Sequence, residues 1–447
     1  VSNGDILNNS KTKKWPPYSS YKPSRITWIG ETPTHWETKP IKYIFKIING
    51  ATPKSGVEEF WEGDIPWATP DDLGDLSSDT ITKTSRKITK LGFSSCATSI
   101  APKGSLVLST RAPIGHLAIA GVDLCTNQGC RCLVFRKDDA KKYFYYCLLG
   151  AKAELQSWGQ GSTFTELGSQ SLGSTFVVCP PVEEQLAIAN FLDRETEKID
   201  ALIAKKERHI ELLQERRNAL ITQAVTKGLE PSVPMKSSGI DWLGPIPAHW
   251  KINRIKHLCR PTRGQSPRPI DDPVYFDDGG EYSWVRISDV TASNKYLLRT
   301  EQKLSIFGKS KCLALEPGEL FVSIAASVGK PIITSIKCCI HDGFVALYGF
   351  RRNREYAYYA LLCEGIFSGL GKLGTQLNLN SETIGNIIIP DPPMPEQEAI
   401  VFALNRETAW IDDLASKVEE AIEYLKEYRK ALISAAVTGK IDVRKEK

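Results

Sequence analysis

Apolar positions follow two contrasting rhythms along this chain. After Pro181 no Pro or Gly occurs until Gly228, and after Pro395 none until Gly439. In the second of these stretches Leu404, Ile411, Val418, Leu425 and Leu432 recur every seventh residue, with Leu414, Ala421 and Tyr428 at the offset positions. A seven-residue apolar repeat predicts a long helix with a coiled-coil seam. Leu192, Ile199, Leu213 and Leu220 hold the same register in the first stretch, where Lys206, His209 and Arg216 interrupt it. The aliphatic stems of such residues can lie over a seam. Elsewhere the pattern shortens. Leu106–Thr110, Cys130–Phe135, Ser174–Pro180, Glu319–Ile324 and Asn386–Pro390 are β-rich runs bounded by Gly and Pro. Lys141–Gly159 and Arg354–Gly371 read as helices that lead into Gly-rich loops.

The chain repeats itself. Trp28, Gly30, Pro33, His35 and Trp36 recur as Trp242, Gly244, Pro247, His249 and Trp250. The two helical stretches match at 25 of the 46 positions from Pro181 to Thr226. The middles share only a skeleton: Trp67 and Asp72 against Trp284 and Asp289, Gly104 and Gly115 against Gly318 and Gly329. One repeat is therefore a variable globular domain followed by a near-constant helix.

Connectivity then restricts the fold. The first helix carries the chain from one domain to the next, and the second starts at the second domain. If the seams pair over their length the helices run antiparallel, with the domains at opposite ends of a rod of roughly 66 Å. The expected fold class is α+β: two α/β domains with mainly antiparallel sheets, separated by two long helices pairing as an antiparallel coiled coil, with an internal pseudo-two-fold duplication. The expected segments are a disordered or partly ordered tail (1–20), domain one (21–180), a central helix (181–228), domain two (229–391) and a C-terminal helix and tail (392–447).

Length and composition fit this picture. The 447 residues carry 57 Lys and Arg against 52 Asp and Glu and are 41% hydrophobic, enough for real cores. No apolar run approaches a membrane span, and the polar opening VSNGDILNNSKTKKWPP holds no apolar secretory segment. Eleven scattered cysteines without a C-x-x-C pair argue for buried thiols in a reducing cytoplasm and against a zinc site. The two helical stretches are net acidic, −1 over 183–227 and −3 over 395–440, which leaves +9 of the total +5 charge for the remainder. Basic heads on a near-neutral spacer suit phosphate binding.

Several loops have the composition for base contact, because Gly admits close backbone approach and Ser, Thr, Gln, Asn and Arg offer edge-reading groups. They are Ser109–Gly115, Gly159–Leu167, Gly371–Asn380 and Arg260–Arg268. The candidate DNA contacts are Arg86, Lys87, Ser109, Thr110, Arg111, Asn127, Gln128, Gln160, Ser162, Thr163, Arg263, Gln265, Arg268, Arg286, Ser327, Lys330, Gln376 and Asn378. Leu192, Ile199, Leu213, Leu220, Leu404, Ile411, Leu425 and Leu432 mark the two long helices, which the family resemblance given below makes the docking surface for partners. Catalytic motifs are missing. Asp391–Met394 (DPPM) lacks the aromatic that a base-flipping methyltransferase places after its Pro pair, and both Pro pairs read as helix entries. Asp289, Glu301 and Lys303 only faintly match a nuclease pattern, and Gly308–Ser310 lacks the upstream Gly of a P-loop. No catalytic residue or metal ligand is expected.

These residues carry a resemblance. The chain resembles the specificity (S) subunit of a bacterial type I restriction-modification system, in which two target recognition domains alternate with two long helices. The features that match are the opening Ser238–Trp250 and its looser copy Ser24–Trp36, the Pro-Pro-x-x-Glu-Gln helix entry at Pro180–Gln185, and Pro392–Gln397 with one extra Pro. Gly104–Gly115, Asn127–Gln128 and Gly161–Leu167 match as well; His341–Asp342 replaces the Asn-Gln pair in the second half. The resemblance implies recognition of a bipartite target in double-stranded DNA. It also implies two modification subunits that methylate adenine with S-adenosylmethionine, and two restriction subunits that use ATP and Mg, with no cofactor on this chain and no membrane. Two other classes stay open on the residues alone. One is a stand-alone methyltransferase or nuclease with a degenerate site; the other is a coiled-coil scaffold for proteins.

Overall fold

The computed structural model describes residues 15–445 apart from 25, 77, 138–139, 160–165, 326–327, 368–371, 374–375 and 378. Two compact units result, one from the residues up to Lys206 together with those from Glu420 onward, the other from Glu207–Glu419. The long helices are α1 (Val182–Lys227) and α2 (Met394–Val437). Each unit thus holds a half of each helix, the opening half of one with the closing half of the other, as antiparallel pairing requires.

In the first unit a five-stranded sheet runs in the order Phe45–Asn49, Cys130–Phe135, Leu106–Ser109, Leu117–Ala120, Thr80–Ile81, antiparallel except for its last pair. Alternate residues face opposite sides. Leu106, Leu108 and Leu133 join Tyr143, Phe144, Leu148, Leu192 and Leu432 in one core, while Val107, Ala118, Ala120 and Cys132 join Leu73, Ala101 and Leu124 in another. Both faces are buried, which is why these strands read as continuous apolar runs. The smaller sheet Cys125–Thr126, Trp61–Ala68, Arg86–Ile88 carries the Trp61–Trp67 pair.

The second unit repeats the order with Arg260–Arg263, Phe344–Tyr348, Leu320–Ser323, Pro331–Thr334 and Tyr296–Leu297. Its smaller sheet has four strands, Gln302–Leu304, Tyr282–Val285, Cys338–Ile340 and Leu313–Leu315. In the first unit the place of the fourth strand is taken by an isolated bridge, Ala101 to Leu124.

The shared motifs fasten domain to helix. Within the first unit Glu184, in the first turn of α1, accepts from the His35 ring and the Trp36 indole; within the second, Glu396 accepts from His249 and Trp250. Gln185 donates to the Pro180 carbonyl and Gln397 to that of Pro392, which closes each helix entry. Tyr143 donates to the Val437 carbonyl and Tyr356 to that of Val225, which satisfies acceptors that a helix end leaves open. Asp72 and Asp289 sit at the third position of a short helix and accept from the backbone N–H of Thr69 and Arg286. The weak nuclease pattern is thus a helix cap. Asp391 pairs with Arg352 and accepts from Gln397, and Met394 opens α2, so DPPM is a helix entry.

The seam residues are inside. Leu192, Leu404, Ile411 and Leu432 are buried, Leu220 and Leu425 half-buried, and Ile199 and Leu213 buried. In the first unit Arg429 pairs with Asp200; in the second Arg217 pairs with Asp412 and Leu213 packs on Ile411 and Ala415. A docking partner would meet other faces of α1 and α2. The guanidinium of Arg216, which breaks the seam, lies 5.7 Å from the Trp410 ring rather than in the seam. Within the tail expected to be disordered or partly ordered (1–20), Trp15 and Tyr18 are buried and Trp15 packs edge-on against Phe191.

Candidate nucleic-acid interface

The two domains bring corresponding loops together, in part by the same backbone bonds. In the first, the Ala51 N–H donates to Thr126, Asn127 to Ala68, Thr110 to Gly129 and Leu167 to Thr110. In the second, Gln265 donates to Ile340 and Ile324 to Gly343. Gly50 and Gly264 occupy the tightest crossing: a Cβ would stand 1.9 Å from the Asn127 carbonyl oxygen and 2.1 Å from that of His341. The turn beyond is built alike. Asn127 Oδ1 accepts from the Gly129 N–H and His341 Nδ1 accepts from that of Gly343. Thr52 donates to Gln128, and Ser266 donates to Asp342.

On this common frame the tips differ. In the first domain Glu166 bridges two arginines, taking Arg111 Nε at 3.0 Å and Arg131 Nη2 at 2.9 Å. Partial burial opposes ionisation of Glu166, but the bonds and charges of both arginines outweigh it and hold its carboxyl below the usual range. In the second domain Asp342 is the organiser. Its carbonyl oxygen accepts from Arg263 Nε at 2.8 Å, and its carboxylate accepts from Arg268 at 3.1 Å and Ser266 at 3.0 Å. Burial works against its charge too, but the Ser266 bond and the charge of Arg268 leave it depressed.

The candidates separate by place. Arg111, Gln128, Arg263, Gln265 and Arg268 stand in these clusters with solvent access; Lys87 and Arg286 are exposed. Ser109 and Thr110 correct the expectation. Both are fully buried; Ser109 donates to the Pro113 carbonyl and accepts from the His116 N–H, and Thr110 donates to Gly129. They shape the turn that presents Arg111 and have no surface left for DNA. Arg86 lies over the Trp61 ring at 3.5 Å, a cation–π contact, so its guanidinium serves packing. Lys330 donates to the Thr291 and Ser293 carbonyls at the end of a short helix and is likewise committed. Asn127 spends its side-chain oxygen on its own turn. Gln160, Ser162, Thr163, Ser327 and Asn378 lie outside the described residues. Gln376 belongs to the strand Gln376–Leu377, and its side chain is not described. Sequence reading missed Glu166, and it took Asp342 only as a departure from the Asn-Gln pair. The available signal was a lone acid in a loop otherwise suited to DNA.

Among the described residues no group of three or more His, Cys, Asp or Glu could hold a metal, and no helix is long and apolar enough to cross a membrane. Burial pushes the thiols up, Cys125 to about 11 and Cys132, Cys147 and Cys363 to about 12.

The model of the type I restriction modification DNA specificity domain matches residues 33–212 and again 247–424. The chain belongs to this family. Each specificity domain covers one loop cluster and part of one long helix. The MjaIX specificity subunit of Methanocaldococcus jannaschii is 27% identical over 437 residues, 93% of this chain and 96% of that one. The EcoBI specificity subunit of Escherichia coli is 23% identical over 322 residues, 67% of this chain and 66% of that one. Among solved structures, one from a study of complex assembly and conformational transition of the type I R-M system superposes with a TM-score of 0.68 at 16% identity, over 91% of this chain and 98% of that one. The HsdS subunit of Thermoanaerobacter tengcongensis gives 0.50 at 17%, over 92% and 98%. These two likenesses place the fold.

Proposed function

We propose that this chain is the DNA-reading specificity subunit of a type I restriction-modification complex, with methyl transfer and cleavage carried out by separate subunits. One observation carries the reading: two domains share the crossing glycine and the turn bonds beyond it, yet present different side chains at the tips. Such a pair reads two different half-sites. A continuous helix α1 passes from one unit into the other, and its length sets the unread gap. Phosphate contacts fix register, and the tips choose bases. The outer faces of α1 and α2 receive two modification subunits, which methylate adenine with S-adenosylmethionine. Two restriction subunits using ATP and Mg complete the complex.

Mapping methylated adenines in host DNA with and without this chain tests the proposal. A bipartite motif that vanishes with the chain supports it. Exchange of residues 39–179 for the same segment of another family member should change one half of the motif only; an unchanged motif would refute the reader assignment. Binding of the full chain to duplex DNA should weaken steeply with salt as phosphate contacts release counterions.

A further inference from the structure

We infer that each half-site contains a guanine read in the major groove, by Arg111 in the first domain and by Arg263 in the second. The inference rests on the proposed DNA-reading role and adds the base and the residue.

The geometry of the two arginines is the argument. Both are held at the same atom. Arg111 gives its Nε to Glu166 Oε2, and Arg263 gives its Nε to the Asp342 carbonyl. Among the described residues, no partner takes the terminal nitrogens of either. A guanidinium pinned at Nε turns its two terminal amino groups outward as a planar fork with parallel N–H donors. On the major-groove edge only guanine offers two adjacent acceptors, N7 and O6; adenine sets its N6 amino donor where the fork needs an acceptor, and cytosine presents an amino donor. A fork with both prongs free is therefore selective for guanine.

Pinning also settles entropy beforehand. A free arginine loses much rotamer freedom when it binds, whereas these two are already ordered by their bonds. Charge agrees. Arg111 and Arg131 outnumber Glu166, and Arg263 and Arg268 outnumber Asp342, so each cluster keeps one net positive charge toward the phosphates. Arg268 differs: it is held through a terminal nitrogen, which spoils the fork. Asp342 and Glu166 act as positioning residues, and Arg131, nine-tenths buried at its side chain, backs Glu166 from below.

The test is selection of the full chain on a randomised duplex library, for wild type, Arg111→Ala, Arg263→Ala and the two Lys variants. The expected result is a two-part motif with an invariant guanine in each part. Arg263→Ala should randomise that guanine in one part, Arg111→Ala in the other, each leaving the second part sharp, which shows the variant is folded. The Lys variants should retain partial preference, since Lys donates but cannot fork. Replacing the guanine with 7-deazaguanine should weaken wild-type binding roughly 10- to 100-fold and leave the matching Ala variant unaffected. A two-part motif unchanged in both Ala variants, or indifferent to 7-deazaguanine, would overturn the inference while leaving the reading role standing. Failure of wild type to select any motif would overturn the reading role itself, and this inference with it.

Discussion

Trp36 and Glu184, far apart in sequence, meet at 2.9 Å: the fully buried indole N–H donates to a carboxylate oxygen in the first turn of α1. The Tyr18 hydroxyl, the His35 ring and Arg444 reach the same carboxylate. One acid therefore ties the domain opening, the helix entry and the C-terminal segment of this unit. Glu184→Ala should lower the stability of the first unit by about 1–3 kcal/mol, because it strands a buried donor. Glu184→Gln, which keeps an acceptor, should cost less. Denaturant unfolding of both variants checks the order; equal losses would sink the account.

An ion pair is preserved with its polarity reversed. In the first unit Lys142 reaches Asp79 and, at 3.0 Å, Asp193; in the second Lys295 reaches Glu355 and, at 2.6 Å, Asn405. Asp79 and Lys295 are equivalent, since each gives its carbonyl to the neighbouring strand at Ile119 and Ile333. Lys142→Glu alone should destabilise the unit by about 1 kcal/mol, a modest figure because the pair is partly exposed. Adding Asp79→Lys should recover most of the loss. A double variant no better than the single one would show that the pair does not couple.

His341 makes the turn of the second domain sensitive to acid. Burial lowers its pKa, more than Asp342 raises it, and Arg286 lowers it further. The folded chain keeps the ring neutral, with Nδ1 accepting from Gly343. A group depressed on folding supports stability above its unfolded value, about 6.5, and that support fades as pH falls through the folded value. His341→Asn installs the acceptor that Asn127 uses in the first domain without a titrating group. Melting curves between pH 5 and 7.5 should slope for wild type and flatten for the variant.

Ile411 is fully buried against Leu213 and Ala415. Ile411→Ala should cost about 2–4 kcal/mol through lost burial and a cavity. Exposed Phe402→Ala on the same helix should cost well under 1 kcal/mol. Thermal unfolding of the two variants separates seam from outer face.

The duplication, the helices and their pairing were legible because they rest on period and repetition, which a single chain displays. The five-strand sheets were legible as runs such as Leu106–Ser109. The site was only partly so. Composition pointed to Arg111, Arg263 and Arg268, which the fold leaves solvent-accessible, but it could not tell a solvent-facing hydroxyl from Ser109 and Thr110, which close their own turn. Nor could it foresee that Arg86 would be spent on Trp61, since that contact joins two strands by their registry. Whether a polar side chain is available depends on which backbone groups the fold leaves wanting, and that is settled in three dimensions.

The crossing at Gly50 and Gly264 leaves no room for a methyl group, whereas the side chains just beyond it point into open water or onto each other. Under the proposed role, lineages of this chain can acquire new target preferences by rewriting the tips one letter at a time, while any heavier residue at either glycine would collide with the backbone carbonyl it crosses.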